Sequence, residues 1–195
     1  MSTAGPRAFD PVRLGGHETD AWVAYYRREW RPLLRSSVGM VRVGFGMNPA
    51  RTLYGAWLVL RANMVWAPYP DNDPDAAREY MRKFYALVAA DGELTLDPVE
   101  ASRREVEWWR IHRVHQRETG LSEADLTQSL VDLYSYVYGV APESVHDAAY
   151  ERVVAMRLSD EWVERGCDLD DPMLVDERKH LVASYTALRA AVERV

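Results

Sequence analysis

The 195-residue chain has a single cysteine, Cys167. It can form no intramolecular disulfide, which suits a reducing compartment. A zinc or iron–sulfur site built on thiolates is excluded, because such sites need several cysteines. Lysine is almost missing: Lys83 and Lys179 stand against 22 arginines, and Ile111 is the only isoleucine. This is the codon bias of a GC-rich, bacterial genome and carries no chemistry.

Basic clusters are missing as well. With 24 basic and 30 acidic side chains the net charge is −6, and the arginines are scattered. Nucleic-acid binding, which needs clustered cations to neutralise phosphates, is not expected. The longest apolar stretch, Leu53 to Pro68, is interrupted by Arg61 and Asn63. It falls short of the roughly 20 residues of a membrane span. Met1 to Pro11 is neither apolar nor rich in Arg and Ser, so no signal peptide is predicted. A cytoplasmic protein without a membrane partner is expected.

Strand alternation and sequence repeats are also lacking. No P-loop, nucleophile elbow, kinase set or zinc-protease helix is present. The glycines in Gly39 to Met47 have neither a preceding strand nor a following Lys-Ser/Thr. They suggest close helix packing, or a loosened helix end lining a pocket.

What is present is a folded globular composition: 48% hydrophobic, 28% charged and 11% aromatic. Punctuation is strong. Asn48-Pro49, Asp73-Pro74, Asp97-Pro98, Ala141-Pro142 and Asp171-Pro172 each precede a helical pattern. Asn or Asp caps the orphan amides, and Pro at the next position has no N–H to satisfy. Ser122 with Asp125 is a variant capping box. These signals predict seven helices, at about 20–45 with a bend near Pro32, 49–66, 74–90, 98–118, 122–138, 142–165 and 172–193. Residues 1–18 are predicted to be extended, and 19–195 to form one all-α domain. Helices 74–90, 123–138 and 172–193 each carry one apolar stripe, as in Met81, Phe84, Tyr85 and Val88. Helix 49–66 is apolar almost all round and is predicted to lie at the centre of the bundle.

Several constellations could carry chemistry. Arg61 and Asn63 interrupt the apolar helix, and a buried guanidinium requires a carboxylate, for which Glu29 and Glu105 are candidates. Glu105, Trp109, His112 and Gln116 share one helix face at i, i+4, i+7 and i+11. A carboxyl buried beside Trp would be pushed toward neutrality and could exchange protons. His112 and His115 at i, i+3 could ligate a metal. Glu177 and His180 form one Glu-x-x-His, whereas di-iron bundles need two copies; a surface pair fits better. Tyr69 to Asp75 is acidic but lacks calcium-loop spacing, and fits a rigid turn. His17 and His146 are isolated and read as surface residues.

The expectation is an aromatic-lined interior pocket that binds or converts a small apolar or aromatic metabolite, by acid–base chemistry without a cofactor. Its walls would be Trp57, Trp66 and Trp109, its anion anchor Arg61 with Asn63 beside it, and its acid–base residue His112 oriented by Glu105. One alternative is a non-catalytic homodimer or adaptor that uses helix 172–193 and Tyr134, Tyr136 and Tyr138 as its interface. The other is an oxidase holding iron or another divalent metal through Glu105, His112, His115, Glu177 and His180.

Overall fold

In the computed structural model, which describes residues 5–117 and 121–193, the capping residues do what their chemistry predicts. Asn48 Oδ1 accepts from the Arg51 amide at 3.0 Å, and Asp73 Oδ1 from the Ala76 amide at 2.9 Å. Ser122 and Asp125 close a reciprocal capping box. The resulting helices are α1 (Pro11–Tyr26), α2 (Trp30–Phe45), α3 (Pro49–Trp66), α4 (Pro74–Ala89), α5 (Pro98–Arg117), α6 (Glu123–Tyr138), α7 (His146–Glu164) and α8 (Met173–Val192). A 3₁₀ turn over Pro142–Val145 leads into α7. Among the described residues there is no strand, and no helix is long and apolar enough to cross a membrane.

Two boundaries differ from those expected. The segment predicted to be extended already contains the start of α1, because Asp10-Pro11 is a further Asp-Pro cap. Asp10 Oδ1 accepts from the amides of Val12 and Arg13 at 3.0 and 3.1 Å. The long first helix is broken at Arg28 and not near Pro32, which sits harmlessly in the first turn of α2. Arg28 has φ 60°, a left-handed conformation that ends α1. Its guanidinium is tied to the Ala67 carbonyl at 2.7 Å, which helps hold this unfavourable backbone.

Each helix packs on its neighbours in sequence, and α8 returns to pack on α1. The eight therefore form a closed ring of alternating direction, joined by short links. No helix runs through the middle. Helix 49–66 is correspondingly a wall and not the centre: α3 packs between α2 and α4, and its Leu53, Tyr54 and Trp57 are exposed. Tyr134 and Tyr138 of α6 are buried within the ring, and Tyr136 accepts from the Asp97 amide, so the tyrosines expected at an interface are engaged within the fold.

Glycines permit two close contacts. A Cβ on Gly39 would lie 2.5 Å from the ring of His17, which is half-buried against α2 and not a free surface residue. A Cβ on Gly15 would lie 2.9 Å from the backbone nitrogen of Val182, where α1 crosses α8. Glu177, expected at the surface, is fully buried in the seam between α7 and α8. Its Oε2 accepts from Ser159 Oγ at 2.6 Å, while Oε1 has no partner. Burial, with Glu18 and Asp160 adding repulsion, pushes its carboxyl up to about 7.

Two stability predictions follow from these contacts. Gly15→Ala should cost about 1–3 kcal/mol, because backbone cannot yield as a side chain can. Gly16→Ala, whose Cβ would meet only Arg178 Nη1 at 3.7 Å, should be neutral or stabilising by up to about 1 kcal/mol. Urea denaturation of both variants decides this, and equal midpoints would refute the close crossing. For Glu177 the folded protein holds a proton that the unfolded chain releases near the ordinary value of 4.5. Stability should therefore fall as pH rises from about 4.5 to about 7. Glu177→Gln should remove up to about 3 kcal/mol of that fall. Thermal melts at the two ends of the window test it; an unchanged pH dependence in the variant would reject the buried-acid assignment.

Candidate functional site

Among the described residues, two adjoining cavities lie inside the ring. One, of about 200 Å³, is bounded by the C-terminal parts of α1, α3 and α5, the first half of α2 and the middle of α7. Trp22, Trp66, Trp108 and Trp109 face it. The other, of about 170 Å³, lies toward the opposite end, among α2, α4, α6 and α8. Ser37, Met40, Val59, Glu105, Trp109 and Arg152 line both, and so form the waist between them.

Glu105 is the central acid of this interior. Its position on α5 puts the indoles of Trp108 and Trp109 at i+3 and i+4, on the same side of the helix. Their Nε1 groups donate to Oε1 at 3.1 and 3.2 Å. Tyr85 of α4 donates to Oε2 at 2.6 Å. Burial pushes the Glu105 carboxyl above its ordinary range; the three donors and nearby Arg152 oppose that shift without cancelling it. The Tyr85 phenol is pushed well up, first by burial and then by this carboxylate, and stays protonated. The result is a carboxyl group in an aromatic shell, next to open space.

His112 also faces the larger cavity, but Glu105 does not orient it. Its Nε2 lies 3.0 Å from Asp160 Oδ2, a residue of α7. Asp160 Oδ1 accepts from Tyr26 Oη at 3.3 Å and from the Gln116 amide, and Gln116 also donates to Tyr26 Oη at 3.1 Å. Three side chains, Tyr26 of α1, Gln116 of α5 and Asp160 of α7, thus fix the imidazole. An Nε2–Asp160 bond leaves Nδ1 as the ring nitrogen free to act. Burial and the Asp160 charge push the Tyr26 phenol well above its ordinary value.

The buried guanidinium of the waist is Arg152 on α7. It pairs with Glu18 of α1, donates to Tyr134 Oη of α6 at 2.8 Å, and lies 5.2 Å from the Trp108 ring centre. Sequence reasoning missed Arg152, Glu18 and Asp160. Their spacing carried a signal: Arg152 lies at helical intervals from Ala148, Met156 and Asp160, and Glu18 from Leu14 and Ala21, all on inward stripes.

The remaining expected residues divide. Trp66, Trp109 and Asn63 do line the larger cavity, and Asn63 Nδ2 donates to the Val59 carbonyl. Trp57 does not: it is 43% exposed and stacks on Tyr54. Arg61 meets neither Glu29 nor Glu105. It lies against the ring of Tyr80 and donates to its hydroxyl at 3.4 Å, while Glu29 pairs with Arg27 on the surface. α3 turns this part of its face outward, so the arginine has no need of a buried carboxylate.

The residues expected to hold a metal are dispersed. Glu105 is bonded at the waist, His112 to Asp160, Glu177 to Ser159, and His180 Nδ1 to Glu151 at 2.7 Å. Among the described residues no three His, Cys, Asp or Glu side chains converge as ligands would. In Tyr69 to Asp75, Asp73 serves as the cap of α4. No family model, curated protein or solved structure matches the chain.

Proposed function

We propose that the interior of the ring binds one small, mainly apolar or aromatic molecule, and that Glu105 and His112 exchange protons with it without a cofactor. The observation that carries this reading is the placement of the Glu105 carboxyl at the waist of two aromatic-lined cavities. Apolar walls with a few converging polar groups are what ligand sites require. Protein interiors otherwise pack closely, and a fold gains no stability from keeping such space open.

The roles follow from the surroundings. Glu105 is the acid, because burial favours its protonated form at neutral pH more than water would. His112, held through Nε2 by Asp160, is the base. Arg152, already paired with Glu18, sets the electrostatic background of the waist. Trp66, Trp108 and Trp109 supply the apolar contact.

Naphthylethanol, an uncharged ring compound, is a suitable probe. Calorimetric titration of the whole chain should give one binding event per chain, with a matching change in tryptophan emission. Met40→Trp, which fills the waist from α2, should weaken that binding tenfold or more. Circular dichroism and a cooperative thermal melt check that the variant is folded. Unchanged affinity in a folded Met40→Trp protein would place the site outside the ring.

A further inference from the structure

The larger cavity differs in charge between its two ends. At its inner end Glu18 is paired with Arg152, Glu105 is bonded by Tyr85, Trp108 and Trp109, and Asp160 lies behind His112. Its outer end is basic. Arg28, Arg113 and Arg117 all line it, and Arg28 and Arg117 are exposed, so this end reaches solvent. Among the described residues none of the three forms an ion pair. Three arginines thus converge on one cavity mouth in a chain of net charge −6.

The geometry of the arginines is fixed. Arg113 donates Nη1 to the Trp66 carbonyl at 2.8 Å and Nη2 to Tyr25 Oη at 3.0 Å, with its guanidinium 4.7 Å from the Trp66 ring centre. Arg28 donates Nη2 to the next carbonyl, that of Ala67. The two therefore meet at the C-terminus of α3, on adjacent backbone groups. A guanidinium has five N–H donors, so both retain donors after these bonds. Arg117 lies 4.4 Å from the centre of the Tyr69 ring at the same mouth. Helix-end carbonyls and aromatic faces orient the arginines, yet these groups carry only partial charge and leave the cationic charge available.

Resting on the interior-ligand reading above, we infer that the ligand is an amphipathic anion. Its apolar body lies against Trp66, Trp108 and Trp109, and its carboxylate or phosphate head is held at the mouth by Arg28 and Arg113. This orients the molecule. The head stays with the mouth arginines, which keep free N–H donors, because Arg152 at the inner end is already paired with Glu18; the end remote from the head is the one presented to Glu105. A planar fork of donors suits either head group.

The test uses one ring with four heads: naphthylacetate, naphthyl phosphate, naphthylethanol and naphthylethylamine, titrated calorimetrically into the whole chain at low salt. The better anion should bind about tenfold tighter than the alcohol. The amine should be the weakest, and added salt should narrow the gap. In Arg113→Gln the ratio of anion to alcohol affinity should fall toward one. Should that variant fail to fold, Arg28→Asn gives the same readout, since Asn tolerates the left-handed backbone at that position. Which of acetate and phosphate binds tighter assigns the head group. Equal affinities for anion and alcohol, tighter binding of the amine, or a ratio unmoved by both variants would overturn the anionic assignment while interior binding stands. If none of the four binds, interior binding fails too.

Discussion

The ion pair between Arg152 and Glu18 is the constraint around which the rest of the interior is arranged. A guanidinium taken out of water needs a charge partner and further acceptors, or its desolvation cost prevails. Here the partner comes from α1, an acceptor from Tyr134 of α6, and an aromatic face from Trp108 of α5. Four helices of the ring are thereby tied through one side chain. Removing one member of such a pair typically costs about 3–5 kcal/mol, a large share of the roughly 5–15 kcal/mol that holds a domain folded. A cluster of this kind also resists collapse. Polar atoms that must keep their partners cannot be squeezed together as methyl groups can, so the waist stays open on both sides. The two cavities and the ion pair are in this sense one feature.

Helix direction explains why the interior is polar in an ordered way. Because the eight helices alternate, α1, α3 and α5 all present their C-termini to the same end of the ring. C-terminal carbonyls are unsatisfied and carry partial negative charge. Arg28 and Arg113 answer this at Ala67 and Trp66. Carboxylates, which gain nothing there, lie deeper, where indole, phenol and guanidinium groups donate to them. The gathering of arginines at the mouth thus has a backbone origin. It follows from an up-and-down topology closed into a ring, and the side chains complete it.

The parts of this arrangement that were legible in sequence are those fixed locally. A cap is a matter of two or three adjacent residues, so Asn48-Pro49, Asp73-Pro74 and Ser122 with Asp125 could be read directly. Asp10-Pro11 obeys the same rule, although the segment that follows it is only weakly apolar. The closing of the ring was not legible. Leu53 to Trp66 is apolar enough for a central position, yet half of that face remains at the surface, since a sequence records hydrophobicity and not which neighbours are available to cover it. The same limit explains the two arginines. Arg61 looked anomalous because its surroundings are apolar, but it lies at the edge of a wall. Arg152 looked ordinary among charged neighbours, but it lies on the inward stripe with Ala148 and Met156. Position on the helical face, and not local contrast, distinguishes the buried charge.

Two of the buried carboxyl groups, Glu177 and Glu105, complete the contrast between structure and chemistry. Glu177 has one donor and is fully buried; its raised carboxyl is what the seam between α7 and α8 imposes. Glu105 has three donors from two helices, a nearby guanidinium, and cavities on both sides. Burial raises both, but the causes that oppose it differ. At Glu177 a serine hydroxyl and the Arg178 charge stand against burial and repulsion from Glu18 and Asp160. At Glu105 every neighbouring group favours the charged form, and burial alone resists. A small change in solvation, such as the displacement of water by an apolar molecule, therefore acts on the one cause that raises the Glu105 carboxyl. Glu18, which also lines the larger cavity, is committed to Arg152, so that sensitivity belongs to Glu105.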